Sequence, residues 1–382
     1  MNFLEHSEFD GHESVTCVND QATGLSAIIA IHNTELGPAL GGCRYYPYGS
    51  TAEAMTDVLR LSRGMSYKNA LAGLPFGGGK SVVIGDPRRD KQEAQLEALG
   101  EAVNALNGRY VIAEDSGTSP DDMRVIARAT PFVSGLEDSI SGGDPSPITA
   151  QGVYLAIKVA LAHLHQRTPL EDFTIAIQGL GKVGYTLAKL AKADGVTVVA
   201  SDLFKPSLDR AVEELGVIPC DDNDILFHDC DVLAPCAMGG VLNAATIPHL
   251  KARVVAGAAN NQLGTAADGE LLRQCGILYC PDFVVNAGGV IEIYHQRLKS
   301  DAAKRVESLE VIATNLRKII DIAAVAGIDT ERAAIRLAKD VLGGKTATRR
   351  PDSLITQALL ACDSLKAKEC ALKTQERSAC LS

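Results

Sequence analysis

One stretch restricts the folds open to this chain more than any other: Thr174-Ile175-Ala176-Ile177-Gln178-Gly179-Leu180-Gly181-Lys182-Val183-Gly184. An apolar, β-branched run enters three glycines at G-x-G-x-x-G spacing, and Tyr185 to Ala193 then carries a helical pattern. Gly179 allows a tight turn, Gly181 lets backbone approach a pyrophosphate, and Gly184 lets the helix pack close on the strand. The start of that helix offers N–H groups and a positive dipole end to phosphates. The next apolar run ends at Ser201-Asp202, eighteen residues after Gly184. An acid there accepts hydrogen bonds from ribose hydroxyls and repels a 2′-phosphate, so the pattern points to NAD over NADP. The competing reading of Asp202 is a capping or solvated acid after a strand.

The rest of the chain agrees with that start. Strands are expected at Thr174–Ile177, Thr197–Ala200, Val232–Ala234, Val254–Ala256 and Leu278–Tyr279, with helical stretches between several of them. Such alternation is the signature of a parallel, doubly wound sheet. The breaker-rich segment Ser141-Gly142-Gly143-Asp144-Pro145-Ser146-Pro147 is the best domain boundary. Before it, Gly24–His32 reads as a buried strand, Gly37–Arg44 as a turn-rich segment and Thr51–Tyr67 as an amphipathic helix. Ser81–Ile84 and Tyr110–Ala113 read as strands, and Leu96–Leu106 and Pro120–Ala129 as helices. After it come helices over Ile148–His165, one long helical stretch over Val290–Ala326 ended by Gly327, and Ala333–Leu342. The tail from Ala371 is polar and expected to fray.

Composition excludes several classes. With 382 residues, two domains with full cores are expected. A net charge of −10 argues against a nucleic-acid partner, and the absence of tryptophan argues against a base-stacking platform. The ten cysteines contain no C-x-x-C pair or zinc-like cluster with histidine, so no metal and reduced thiols are expected. No signal-peptide pattern and no run of eighteen apolar residues is present, so a soluble cytoplasmic protein with no membrane partner is expected.

A second motif points to chemistry. Gly77-Gly78-Gly79-Lys80 removes every β-carbon from a short length of chain and delivers a lysine at its end. Lys68 lies twelve positions earlier, and the segment between carries no charge. Two lysines flanking an apolar, glycine-rich stretch describe a pocket that holds a cation with little water. The bland alternative is a tight turn followed by a surface charge. A nicotinamide cofactor implies hydride transfer, and Lys68, Lys80 and Asp115 are the candidates for the substrate side. An amino acid suits them: its carboxylate needs a cation, and its oxidation to an imine needs a base to activate water. A lysine normally titrates near ~10.4, so any lysine base working near neutrality must be lowered by roughly two to three units, or ~3–4 kcal/mol. Asp115 can relay a proton. Its alternative is an N-cap before Pro120, a role that Ser116, Thr118 or Ser119 could equally fill.

At this point the chain resembles the leucine, valine and phenylalanine dehydrogenases of the amino-acid dehydrogenase superfamily that includes glutamate dehydrogenase. The resemblance runs from about Gly24 to about Leu342. It is carried by Gly37-Pro38-Ala39-Leu40-Gly41-Gly42, Arg63-Gly64-Met65-Ser66-Tyr67-Lys68-Asn69-Ala70 and Gly77-Gly78-Gly79-Lys80. Ala113-Glu114-Asp115-Ser116-Gly117-Thr118 and Pro145-Ser146-Pro147-Ile148-Thr149-Ala150 continue it. Ala234-Pro235-Cys236-Ala237-Met238-Gly239-Gly240, Gly257-Ala258-Ala259-Asn260-Asn261-Gln262-Leu263 and Pro281-Asp282-Phe283-Val284-Val285-Asn286-Ala287-Gly288-Gly289 complete it.

The resemblance implies an α/β chain of two domains separated by a cleft. A substrate and oligomerisation domain would cover 1–140, completed by C-terminal helices at about 331–382, and a Rossmann NAD-binding domain 141–330. Lys68 would hold the substrate carboxylate beside Gly41 and Gly42, Lys80 would be the general base, and Asp115 would shuttle the amino-group proton. Thr149 and Asn261 would lie at the nicotinamide, and Asn286 near substrate and cofactor. The cofactor site would further use Gly179, Leu180, Gly181, Lys182, Val183, Gly184, Asp202, Cys236, Ala237, Ala258 and Asn260. Closure would exclude water. A homo-oligomer, from dimer to octamer, is implied, with release of ammonia and a 2-oxo acid.

The same comparison addresses the side chain. Glutamate dehydrogenases carry a lysine at the place of Leu40, and a buried γ-carboxylate without a partner would be costly. The pocket would be Leu40, Ala113, Val290 and Ile293, which matches the leucine enzymes at Ala113 and Val290. Ile293 adds a methylene that favours valine, and one methylene discriminates by only ~1–3 kcal/mol. Leucine, isoleucine and valine are therefore the expected substrates. Thr149-Ala150-Gln151-Gly152 and the stretch Gln178 to Tyr185 pull toward the phenylalanine enzymes, which keeps an aromatic amino-acid dehydrogenase as the alternative. Tyr294-His295-Gln296 departs from the leucine pattern.

Overall fold

The computed structural model describes residues 3–136, 144–165 and 169–344. The chain divides into two compact units, the first running to Gly143 and resuming at Val341, the second covering Asp144–Asp340.

The first unit is built on a five-stranded mixed sheet. Its elements are β1 (Ser14–Asp20), β2 (Leu25–Asn33), β3 (Ala39–Tyr46), α1 (Thr51–Leu71), β4 (Gly77–Ile84), α2 (Glu93–Ala105), β5 (Tyr110–Glu114) and α3 (Pro120–Ile126). The spatial order is β1-β2-β4-β3-β5. The hairpin β1–β2 and the pair β2–β4 are antiparallel, whereas β3 runs parallel to both β4 and β5. Ala54, Met55, Val58 and Leu59 of α1 pack on Ile28, Ala30 and Val82. Leu96, Leu99, Val103, Met123 and Ile126 of α2 and α3 join Ile29, Ile31 and Ile112 in a second cluster. Alternate residues of β2 therefore feed two cores, as the period of a strand requires.

The turn-rich segment expected at Gly37–Arg44, from Ala39 on, and the tight turn kept as the alternative at Gly77–Gly79 are strands instead. Gly41 and Gly42 lie inside β3, and Gly77–Gly79 open β4. A β-carbon on Gly41 would sit 1.7 Å from the Gly79 carbonyl oxygen, and one on Gly78 would sit 2.0 Å from Ser66 N of α1. The glycines here serve close approach of neighbouring backbone, a use that composition alone does not separate from a turn.

The second unit carries six parallel strands: β6 (Thr174–Gln178), β7 (Thr197–Ser201), β8 (Ile218–Pro219), β9 (Val232–Pro235), β10 (Val254–Val255) and β11 (Leu278–Tyr279). Their order is β11-β10-β9-β6-β7-β8, so the chain starts at the centre and winds outward in both directions. That is the doubly wound dinucleotide-binding topology. Its helices are α4 (Ser146–Leu164), α5 (Lys182–Ala193), α6 (Lys205–Leu215), α7 (Ala267–Gln274), α8 (Asp282–Val285), α9 (Gly288–Arg297), α10 (Ala302–Glu307), α11 (Glu310–Ala326) and α12 (Thr330–Leu342). The single helical stretch expected over Val290–Ala326 is three helices. Lys299 adopts a left-handed φ of 52°, and Asp301 caps α10 by accepting the Lys304 N–H. Gly327 closes α11 in the left-handed conformation.

The boundary segment Ser141–Gly143 lies outside the described residues, and the units part between Gly143 and Asp144. Of the C-terminal helices expected to complete the first domain over about 331–382, α12 falls in the second unit as far as Asp340, the first unit resumes at Val341, and residues beyond 344 lie outside the described residues. The packing of α12 explains its place: Thr330 Oγ1 donates to the Tyr279 carbonyl at 2.6 Å, at the end of β11. The tail expected to fray, with Cys370 and Cys380, lies outside the described residues.

Candidate active-site residues of the two units

In the first unit the adjoining strands β3, β4 and β5 bring the chemical groups together. Lys80, on β4, is 5% exposed and donates from Nζ to Asp115 Oδ2. Asp115 follows β5, and its side chain is 22% exposed. A β-carbon on Gly42 would lie 2.7 Å from Asp115 Cβ, so the glycine leaves the space that Asp115 fills. The turn after β5 is stitched to β3. Thr118 Oγ1 accepts from Asp115 N at 3.0 Å and donates to the Cys43 carbonyl at 2.9 Å, and Tyr45 N donates to the Ser116 carbonyl. The N-cap of α3 is Ser119, in a reciprocal capping box with Asp122. Asp115 is thereby released from capping.

Burial pushes the Asp115 carboxyl up, but Lys80, Arg44 and the Ser116 N–H outweigh it and hold it below the usual aspartate range. Arg44 Nε lies 3.9 Å from Asp115 Oδ2 while its Nη1 is 2.8 Å from Asp57 Oδ2. Tyr48 OH donates to the same Asp57 oxygen at 2.6 Å. Tyr110 OH donates to the Gly41 carbonyl at 2.8 Å and fixes that strand from beneath. Lys68 is half-buried in the last turn of α1, and its neighbour Asn69 donates from Nδ2 to the Gly77 carbonyl at 2.7 Å. Leu40 is buried opposite Val111, and Ala113 is half-buried opposite Gly42.

In the second unit the fingerprint takes its expected shape. Gly179 has φ 94°, and a β-carbon on Gly184 would lie 2.0 Å from the Gly179 carbonyl oxygen. Gly181 caps α5 with no side chain bonded to the first-turn N–H groups, and a β-carbon there would meet nothing within 4 Å. Uncapped N–H groups facing open space form a cradle for an anion. Lys182 is exposed at its mouth, with Nζ 3.2 Å from Asp144, and Val183 is half-buried. Leu180 N donates to Asp202 Oδ2 at 2.6 Å and Phe204 N to Oδ1 at 2.7 Å. Asp202 thus braces the turn, and each oxygen keeps a further lone pair for a ribose hydroxyl.

Cys236 and Ala237 pack against this turn. Added β-carbons on Gly184 and Gly179 would lie 3.3 Å from Cys236 Cβ and 2.7 Å from Ala237 Cβ. Burial pushes the Cys236 thiol up to about 11, which keeps it neutral and inert. Asn286 Nδ2 donates to the Ala258 carbonyl at 3.1 Å and to Asn260 Oδ1 at 2.8 Å. Its own Oδ1 is buried and accepts no hydrogen bond among the described residues. Asn261 is exposed with a left-handed φ of 52°. Thr149 lies in the first turn of α4 and donates to the Pro145 carbonyl at 3.0 Å. Val290 and Ile293 are half-buried on α9. The anion cradle, the bracing acid and an unsatisfied buried amide oxygen together fit a dinucleotide whose amide end offers an N–H donor.

Sequence reasoning gave no role to three residues that organise these sites: Arg44, Asp57 and Gln262. Gln262 is fully buried and donates from Nε2 to the carbonyls of Gly257 and Ala259 at 2.8 and 3.0 Å. A glutamine inside a run of small residues was the available signal. Arg44 and Asp57 read as ordinary surface charges, because their partners are remote in sequence. Among the described residues no group of three or more His, Cys, Asp or Glu could hold a metal ion. No described helix is long and apolar enough to cross a membrane.

Residues 12–132 match the family model described as Glu/Leu/Phe/Val dehydrogenase, dimerisation domain. Residues 208–338 match the model for glutamate/leucine/phenylalanine/valine dehydrogenase. A leucine dehydrogenase of Bacillus cereus is 46% identical over 341 residues, covering 89% of this chain and 93% of its own. A valine dehydrogenase of Streptomyces albus is 44% identical over 360 residues, covering 91% and 97%. Among solved structures, an L-tryptophan dehydrogenase from Nostoc punctiforme superposes with a TM-score of 0.78 at 39% identity, covering 89% and 98%.

Proposed function

This chain belongs to the Glu/Leu/Phe/Val dehydrogenase family, and from that premise we propose that it catalyses reversible, NAD-dependent oxidative deamination of branched-chain L-amino acids. The products are 2-oxo acids and ammonia. The observation that carries the reading is the buried Lys80–Asp115 pair, set against Gly42 and beside the apolar Leu40. An ion pair on an apolar wall suits a substrate that is zwitterionic at one end and aliphatic at the other. The chain's similarity to a leucine dehydrogenase and a valine dehydrogenase supports the substrate class.

The roles follow from chemistry. Lys68 binds the carboxylate as a point charge. NAD, when bound, would supply the acceptor for the hydride that leaves the α-carbon. Asp115 accepts the proton leaving the amino group. Lys80 activates the water that adds to the imine carbon, and Asp115 returns its proton to the departing ammonia. Lys80 already donates to Asp115, so a proton can pass between them without entering solvent. The uncapped N–H groups of α5 and the carboxylate of Asp202 hold pyrophosphate and ribose, and Asn286 Oδ1 accepts an amide N–H. Leu40 and Ala113 in the first unit, and Val290 and Ile293 in the second, are the aliphatic residues that select the side chain. The enzyme works as a cytoplasmic homo-oligomer assembled through the first unit, which sedimentation at assay concentration tests.

A panel of amino acids with NAD tests the reaction. Leucine and valine reduce NAD with specificity constants within ~1–3 kcal/mol of each other. Lys80→Ala abolishes turnover and leaves NAD binding intact. Retained activity in that variant removes Lys80 from its role, and a preference for phenylalanine or tryptophan replaces the substrate class with the aromatic one.

A further inference from the structure

Arg44 stands between two carboxylates inside the first unit. Its Nη1 is 2.8 Å from Asp57 Oδ2, and its Nε points toward Asp115 Oδ2 at 3.9 Å, the oxygen that also receives Lys80. The Nε is buried and makes no hydrogen bond among the described residues. A buried donor without a partner is costly, so it indicates a position imposed by something else. Asp57 imposes it, itself fixed by Tyr48 OH at 2.6 Å. The chain of charges Lys80–Asp115–Arg44–Asp57 thus links β4, the turn after β5, β3 and α1.

We propose that Arg44 is a positioning residue for the deamination: its guanidinium, anchored by Asp57, holds a fixed positive charge beside the Asp115 carboxylate and keeps it turned toward Lys80. This role rests on the reaction proposed above. To become competent the Lys80–Asp115 pair must give up a proton, leaving an uncharged amine beside a carboxylate. A fixed positive charge 3.9 Å from that carboxylate favours the loss. Asp57 opposes it by offsetting part of the guanidinium charge. The other titratable groups around the pair act more weakly. Cys43 on β3 is pushed up to about 12 by burial and stays neutral, Tyr110 on β5 is likewise raised, and Asp122 of α3 is neutralised by Lys91 at 2.6 Å.

The experiment is the pH profile of kcat/KM for leucine oxidation by the full-length enzyme and three variants. Arg44→Gln moves the acid limb upward by about one pH unit, so that activity on that limb falls about tenfold at fixed pH. Arg44→Lys restores most of the shift, because it keeps the charge. Asp57→Asn keeps an oxygen that accepts from Arg44 Nη1 and removes only the opposing charge, so it moves the limb downward; an upward shift overturns the proposal. An acid limb unmoved in Arg44→Gln, with the wild type active, overturns the role of Arg44 alone. If Arg44→Gln does not fold, Asp57→Asn decides: a downward shift supports the proposal and an unmoved limb overturns it. A wild type inactive on the whole amino-acid panel overturns the proposed reaction and this role with it.

Discussion

Gly41 and Gly181 belong to different motifs, and their surroundings give opposite expectations for one added methyl group. At Gly41 the methyl would lie 1.7 Å from the Gly79 carbonyl oxygen, and backbone cannot yield to it. Gly41→Ala should therefore cost more than about 3 kcal/mol and leave little folded protein, as urea unfolding would show. At Gly181 nothing lies within 4 Å, so Gly181→Ala should unfold with the wild-type midpoint. It should still weaken NAD binding by about tenfold, because the methyl occupies the anion cradle. Equal NAD affinity in that variant would mean that the cradle is not the phosphate site. Asp115 teaches the complementary lesson. Its charge and its neighbours Ser116 to Ser119 left two roles open in sequence, and the capping box at Ser119 removes the capping one.

Among elements, α1 is the one that most organises its surroundings. Its side chains meet the N-terminal segment through two buried histidines. His12 Nε2 lies 3.0 Å from the Leu59 carbonyl, and His32 is bonded to Ser66 Oγ at 2.8 Å and to the Asp10 carbonyl at 3.0 Å. His32 also sits at an irregularity of β2, between the pairings of Ile31 with Gly79 and Asn33 with Gly78. Burial lowers His32 to about 4, with His12 and Arg63 adding repulsion and Asp10 opposing it, and burial lowers His12 as well. The folded state thus prefers neutral His32, and unfolded chains bind the proton first. Its contribution is complete above the unfolded value near ~6.5 and is lost as pH falls toward about 4. Over that window stability should fall by up to about 3 kcal/mol. In His32→Asn the decline should be smaller, measured by urea unfolding at several pH values. An unchanged slope in the variant would assign the acid lability elsewhere. The element α9 shows what periodicity could not reveal. Glu292 is 4% exposed and is held by Arg305 at 2.7 Å and Gln296 at 2.8 Å, while His295 bonds Ser300 and Ser308. These contacts fold α10 back on α9 and make the first of the two breaks that turn one expected helix into three.

At the scale of the molecule, two units carry separate cores and separate tasks. Buried Ala176, Val199, Leu233, Val255 and Leu272 form a core wholly within the second unit, and Ile29, Leu99, Ile112 and Met123 one wholly within the first. A fragment covering residues 144–344 should therefore fold by itself and bind NAD while showing no turnover. Calorimetric titration of the fragment checks this, and a fragment that stays unfolded would show that its core depends on the first unit. The share of this organisation that was legible in sequence followed the range of the interactions. Strands of the second unit were marked by apolar runs between turns, and their alternation with helices implied the parallel sheet. The sheet of the first unit was harder: β1 has a half-exposed, mixed pattern, and two glycine motifs imitated turns.

The sequence by itself determined the dinucleotide-binding topology, the family, and the residue types of the site. Those are written in local patterns: a strand, three glycines at fixed spacing, a helix and a downstream acid. Only the tertiary structure decided which charges meet. Lys80 and Asp115 are 35 positions apart yet share a proton-bearing contact, and Arg44 and Asp57 reach them from a third strand and a helix. Glycines that read as turns proved to be strand positions emptied for the approach of other backbone. Both outcomes depend on parallel pairing of β3 with β4 and β5, and such pairing is set by the packing of whole elements rather than by neighbours in the chain.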